Sequence, residues 1–210
     1  MSKRWWMVAG ALLLLGAAPS AVQAAAESVV TVTLGRQSPM GSFGDIAEGG
    51  TMAAVSGGYR VAPWLAVGAD FTYLRAPGLH DGEEFDIFDP NTEKLVTITI
   101  DENWSITALG LYGKLFLFEH GRFSPYLRGG AGAYSLRYSQ DVAAASAGTS
   151  VAGNEQANKF GVSGGVGIRM KVVGGTSIGV ETLYHNIFAR DENVNLWTTG
   201  LTASFGPTGN

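Results

Sequence analysis

Eight segments of this chain alternate apolar residues with small or polar ones at a period of two. That alternation restricts the fold more than any other feature. Successive side chains of a β-strand point to opposite faces, so each segment reads as a strand with one apolar and one polar face. Between 160 and 171, Phe160, Val162, Val166, Ile168 and Met170 share one face, and Gly161, Ser163, Gly165, Gly167, Arg169 and Lys171 share the other. After Val172, Val173, Gly174 and Gly175 the alternation resumes, with Ile178, Val180 and Tyr184 against Ser177, Gly179, Glu181 and His185. The connections are alternately short and long. An antiparallel sheet closed on itself, with lipid outside and a polar interior, has this pattern.

Composition points the same way. Only 15% of the residues are charged, against about 25% in an ordinary soluble domain. The deficit implies apolar surface facing something other than water. Glycine occurs 30 times in 210 residues, twice the usual ~7%, and recurs inside the strand segments, where it permits close backbone approach. There is no cysteine, so sheet closure rather than disulfides must supply rigidity.

The N-terminus reads as a processing signal. Lys3 and Arg4 precede an apolar run over 8–18, and Val22, Gln23 and Ala24 fit the small-x-small cleavage rule. The expected division is a cleaved signal peptide at 1–24, a barrel at 25–205 and a short tail at 206–210. Losing Lys3 and Arg4 makes the remainder more acidic than the −4 of the whole chain. An acidic chain without a basic patch argues against nucleic acid as a partner.

Strands are expected at 28–35, 50–61, 65–74, 95–116, 123–139, 160–171, 177–185 and 194–205. Val30, Val32, Leu34, Val55, Phe71, Leu109, Leu111 and Leu201 face outward. Ala62, Pro63 and Trp64 form a tight turn, as does the stretch at 119–122. Longer loops are expected at 36–49, at 75–94 and at 140–156, with a brief one at 188–193. Short turns on one side and longer loops on the other suit an outer-membrane barrel. Outward Tyr59, Tyr73, Tyr184, Trp197 and Phe205 would form its interfacial aromatic girdles. A soluble sandwich or lipocalin-like barrel, with these aromatics in its core, is the alternative.

The quoted segments carry a resemblance. Gly57, Gly58, Tyr59, Arg60 and Val61 precede the first short turn, and Val67, Gly68, Ala69 and Asp70 follow it. Further on come Tyr112, Gly113, Lys114 and Leu115, then Pro125, Tyr126, Leu127, Arg128, Gly129, Gly130, Ala131 and Gly132. In order and spacing these resemble the small eight-stranded outer-membrane β-barrel superfamily, the OmpA-like barrels, over nearly all of 25–205. The resemblance implies an all-β fold, an eight-stranded antiparallel up-and-down transmembrane barrel. It implies the cell outer membrane of a Gram-negative envelope as location. Outer-membrane lipid, lipopolysaccharide and the barrel-assembly machinery are the implied partners. Relatives end the last strand on an aromatic near the terminus; Phe205 matches, with Gly206, Pro207, Thr208, Gly209 and Asn210 after it.

Inward charges are the candidate site. Arg60, Asp70, Lys114, Arg169, Lys171 and Glu181 fall on the interior face, and Arg128 is placed there because a charge facing mid-bilayer lipid would cost ~2–4 kcal/mol; Asp70, Lys114, Arg169 and Glu181 fall toward the middle of four strands. An eight-stranded barrel is just wide enough for side chains to fill. Isolated buried ions are very costly, so these charges are expected to pair as a lumenal network that plugs the barrel. Similar barrels carry an interior ion-pair cluster, which Asp70 and Lys114 match best. A charged ion pathway is the functional alternative.

The acidic stretch from His80 to Glu93 has six carboxylates, the oxygen donors of hard-cation sites. Its spacing is not that of an EF-hand, and a solvated surface loop is the expected reading, without a metal or other cofactor. Catalysis is not expected. The three histidines, His80, His120 and His185, lack a recognisable nucleophile partner. The expected role is structural or surface-interactive, with a packed polar lumen and three sizeable loops. These carry Met40, Phe43, Phe85, Ile87 and Phe88 as groups for a surface ligand. A narrow pore for ions or small hydrophobic molecules, or a lipid-modifying enzyme, would be the alternatives.

Overall fold

Nine antiparallel strands form around a single closed ring in the computed structural model, which describes residues 27–89, 94–118, 122–144, 149–172, 174–189 and 192–206. They are β1 (Glu27–Met40), β2 (Gly50–Ala62), β3 (Leu65–Pro77), β4 (Glu83–Asp89), β5 (Lys94–Phe116), β6 (Phe123–Ala144), β7 (Thr149–Lys171), β8 (Thr176–Phe188) and β9 (Val194–Phe205). β1 pairs with both β2 and β9, and β3 pairs directly with β5, so eight strands close and β4 stands outside the ring. The expected signal peptide, the turn at 119–121 and the tail beyond Gly206 lie outside the described residues.

The register can be followed once around the barrel. From Glu27 it passes through Arg60, Ala66, Lys114, Arg128, Gly165, Leu183 and Thr198 and returns to Gln37, ten residues further along β1. Such a stagger obliges the strands to tilt by about 40° and fixes the bore. The alternation expected from the sequence sorts the faces: Leu34, Val55, Leu109, Leu111 and Leu201 lie outside, while Thr31, Thr33, Ser56, Thr202 and Ser204 are buried inside. Short turns join β2 to β3 and β7 to β8. In the latter, Gly174 has φ +57°, a conformation that a side chain would strain.

The loops differ from expectation. β5, β6 and β7 are 23, 22 and 23 residues long, against 12 to 14 for the other ring strands. About 9–11 residues suffice to cross a bilayer, so these three continue well beyond it. The expected loop at 75–94 is largely a hairpin, in which β4 pairs with β5 from Glu83↔Ile100 to Asp89↔Lys94. The expected loop at 140–156 is largely strand, with β6 and β7 in register out to Ala144↔Thr149. Upper β5, β6 and β7 thus join β4 in a four-stranded sheet projecting from one end of the barrel. The rise of β5 beyond the membrane agrees with the strand expected at 95–116, but polar residues hid the extensions of β6 past Ser139 and of β7 before Phe160, because in water a strand keeps its period of two without needing an apolar outer face. The first long connection is shortened too, since β1 runs to Met40 and a 3-10 helix (Gly41–Asp45) follows.

Candidate functional site: a lumen filled in layers

Inward tyrosines and glycines shape the interior. The Tyr112 ring lies over Gly58 and Gly68, Tyr126 over Gly167, and Tyr134 over Gly161; a Cβ at any of these glycines would overlap the ring. At these four inner positions glycine leaves the space that a tyrosine from a neighbouring strand occupies.

These rings bound a layer of four charges from four strands. Arg128 on β6 donates through Nη1 to Glu181 on β8 at 2.5 Å and through Nη2 to Asp70 on β3 at 2.6 Å. Lys114 on β5 lies 3.1 Å from the other Glu181 oxygen, which also accepts the Tyr126 hydroxyl at 2.9 Å. Tyr112 supports the Arg128 guanidinium 4.4 Å from its ring centroid, and Lys114 Nζ sits 4.7 Å above Tyr126. Glu181, Arg128 and Lys114 are all under 9% exposed. Two cations and two anions balance, and charge-assisted bonds satisfy groups whose desolvation is otherwise prohibitive.

Arg169, expected at mid-strand with Asp70, Lys114 and Glu181, is replaced in that layer by Arg128 and lies with Arg60 in a different one. Each guanidinium is 4.7 Å from the ring centroid of buried Phe116, toward the short-turn end. A cavity of about 40 Å³ lies there, lined by Arg60, Arg169, Lys114, Tyr112, Tyr126 and Ser204 among others. That is room for a few water molecules. Strict alternation after outward Leu115 puts Phe116 on the inner face with Tyr112 and Lys114, but its place in an apolar run masked that position among the lumen residues.

On the opposite side of the ion layer, His185 is buried between hydroxyls, with Nδ1 3.0 Å from Tyr134 and Nε2 3.1 Å from Thr198. Beyond it the lumen is apolar rather than polar as expected. Met52, Leu74, Ile106, Leu136, Ile187 and Leu196 converge there. Phe43, from the 3-10 helix, closes this cluster. It is 3% exposed and meets Trp104 edge-on at 5.5 Å. Phe43 is therefore a cork inside the barrel and not the exposed contact expected from the sequence. The signal existed where both faces of a strand are apolar at once, as at Tyr73 and Leu74 or at Leu196 and Trp197.

Glu102 was also missed. It lies above the cork, 9% exposed, and accepts Tyr138 Oη at 2.9 Å and Gln140 Nε2 at 3.0 Å. In the acidic hairpin His80 Nδ1 lies 3.0 Å from Glu83. Among the described residues no three histidines or carboxylates converge as metal ligands.

On the outside, Tyr59 and Phe205 lie near the short-turn end, and Tyr73 and Trp197 toward the other; all four are exposed. Tyr184 is half-buried, packing against Trp197 at 5.2 Å and donating to Asn195 Oδ1 at 2.9 Å.

Comparison with solved structures finds the same architecture. A major outer membrane protein from Thermus thermophilus superposes with a TM-score of 0.56 at 14% identity, covering 87% of this chain and 100% of that one. Ail, the attachment invasion locus protein of Yersinia pestis, gives 0.49 at 16% identity, covering 87% and 100%. OprG from Pseudomonas aeruginosa gives 0.48 at 13% identity, covering 86% and 96%. At such identities the likeness is one of fold alone. Comparison with curated proteins finds no match. The family model for the outer membrane protein beta-barrel domain matches residues 7–207, and the chain belongs to that family of eight-stranded outer-membrane barrels.

Proposed function

We propose that this protein works at the cell surface and not through its lumen: a filled barrel that anchors a protruding sheet for contact with a surface ligand. The observation that carries this reading is the double filling of the bore, an ion-paired layer beneath an apolar one closed by Phe43. A bore so occupied has no evident use except rigidity.

The projecting sheet supports the same reading. Phe85 pairs with Ile98 and Ile87 with Val96; Phe85 and Ile87 are 41% and 47% exposed. Clustered exposed apolar groups mark interaction surfaces. The outer edge of β4 has no strand partner among the described residues, so its backbone groups are open to pairing. A lipid-modifying enzyme is disfavoured because both nitrogens of His185 face hydroxyls in the closed interior, away from lipid.

The test is adherence of cells displaying the protein to epithelial and apolar abiotic surfaces, with the double substitution F85S/I87S as the comparison. The reading expects adherence to fall several-fold while the barrel still assembles. Unchanged adherence, together with conductance from the folded barrel, would move the function into the lumen.

A further inference from the structure

The polarity of the sheet reverses as it leaves the membrane. In the crossing part of β5, outward Leu109, Leu111 and Leu115 alternate with inward Gly110, Tyr112 and Lys114. Above Glu102 the same pleat carries the opposite chemistry. Val96, Ile98 and Ile100 continue the inward face of Ile106 and Lys114, while Thr97, Thr99 and Asp101 continue the outward one. Cross-strand partners share a face. The register therefore adds Phe85 and Ile87 of β4, opposite Ile98 and Val96, and Val142 of β6, opposite Ile100. Their outward neighbours Glu84, Asp86 and Asp141 are exposed.

Six apolar side chains thus line the inner side of the projecting sheet, in water above the closed lumen. Phe85 and Ile87 are exposed, and the other four are half-buried. A sheet with one apolar and one polar face buries the apolar one under a second layer. The described residues do not supply that layer. Phe43 packs on Trp104, below Glu102. Ala47 and Glu48 are tied to Gly78 and Pro77, at the level of Glu102. Both termini leave from the opposite end of the barrel, beyond Glu27 and Phe205. The connections 90–93 and 145–148 at the tip are four residues each, about one turn of helix against a face four strands wide.

We infer that this inner face docks the apolar stripe of an amphipathic helix with basic borders, presented by another protein. The inference rests on the surface role proposed above and gives the chemistry of the ligand. Four strands place the outer two about 14 Å apart, wide enough for the ~10 Å cylinder of one helix. The seven residues of β4 extend about 23 Å, the length of ~15 helical residues. Exposed Glu83 on β4 and Glu155 on β7 belong to the same inward face and border the apolar group on its barrel side. A second copy of this chain would bring that acidic border against its like, whereas lysines or arginines beside a partner's apolar stripe meet it as opposite charges.

The test uses the barrel refolded in phosphatidylcholine nanodiscs and three fluorescent peptides of ~15 residues. One is an amphipathic leucine–lysine helix, one a scramble of the same composition, and one the leucine–glutamate counterpart. Anisotropy is read after subtraction of empty nanodiscs. The leucine–lysine helix should bind ~10-fold or more above either control. A photoreactive residue on its apolar stripe should crosslink within 83–89 and 94–100, not to the lipid-facing strands. I98S/V142S should abolish the preference for the helix over its scramble. E83Q/E155Q leaves the apolar face intact and should erase the advantage of lysine over glutamate, which keeps the test decisive if the serine variant does not fold. Equal binding of the scramble, or full lysine preference in E83Q/E155Q, would overturn the inference. So would self-association of the barrel that I98S/V142S abolishes, which would assign the face to a second copy. Adherence that falls in F85S/I87S without helix binding would overturn this inference and leave the surface role standing. Helix binding with adherence unchanged in F85S/I87S would sustain the docking face and refute the adhesive role.

Discussion

Arg128 and Glu181 meet at 2.5 Å although β7 lies between their strands. Their register partners on β7 are Gly165 and Gly167. With no side chains on β7 at those positions, the two ions close across the gap, so glycine placement determines which charges can pair.

Removing the anion from this layer should be costly. Glu181→Ala leaves Lys114 and Arg128 buried without their shared carboxylate. Breaking a buried pair typically costs ~3–5 kcal/mol. Urea unfolding of the barrel in lipid vesicles should show a loss of that order, with single-channel conductance unchanged. Raised conductance with unchanged stability would make the layer a gate.

Gly167→Ala should destabilise through the ring that it displaces. The new methyl overlaps Tyr126, which holds Glu181 by its hydroxyl. Overpacking of this kind costs ~1–3 kcal/mol. Tyr126→Phe removes the hydrogen bond but keeps the ring, and in the same urea titration should lose about as much again. If Gly167→Ala is neutral, the ring has room that the structure does not provide.

The cork makes a separable prediction. Phe43→Ala removes a fully enclosed ring from its contact with Trp104. A buried Phe→Ala change costs ~3–5 kcal/mol where the site cannot collapse, and here it should act locally. Protease added to intact cells should cut near 41–49 faster than in the parent, with the membrane-embedded strands still protected. Cutting at the parent rate would mean that the 3-10 helix is held by something other than Phe43.

The outward face can be checked by placing a charge on it. Leu111 is 71% exposed, about midway along the apolar band. Leu111→Arg should cost ~2–4 kcal/mol in vesicles, the depth-dependent penalty of a cation at the bilayer centre. A cost near zero would argue that this face meets water.

The alternation in the sequence was enough to locate the membrane-crossing parts of the ring strands and the faces of all but β6, because lipid demands an apolar residue at every second position; in β6 the face had to be taken from Arg128. The alternation was uninformative where that demand ends. In β4 the period persists in Phe85 and Ile87, but Glu83, Glu84, Asp86 and Asp89 gave the segment the look of a solvated loop. In the upper lumen Leu74 and Leu196 adjoin the apolar outward residues Tyr73 and Trp197, a doubling that breaks the alternation, whereas Ile106 stands between Ser105 and Thr107, where the alternation survives with its apolar residue on the inner face. For the ion layer, the inward positions of Asp70, Lys114 and Glu181 followed from the pleat, and that of Arg128 from the cost of a charge facing lipid. Their separation from Arg60 and Arg169 did not, because it depends on register around the ring and on Phe116.

The deciding measurement is single-channel conductance of the mature chain refolded in planar bilayers. A lumen filled by the Asp70–Arg128–Glu181–Lys114 layer and closed by Phe43 predicts a folded, electrically silent barrel. Discrete, stable openings from protein shown to be folded would contradict it and make transport the function.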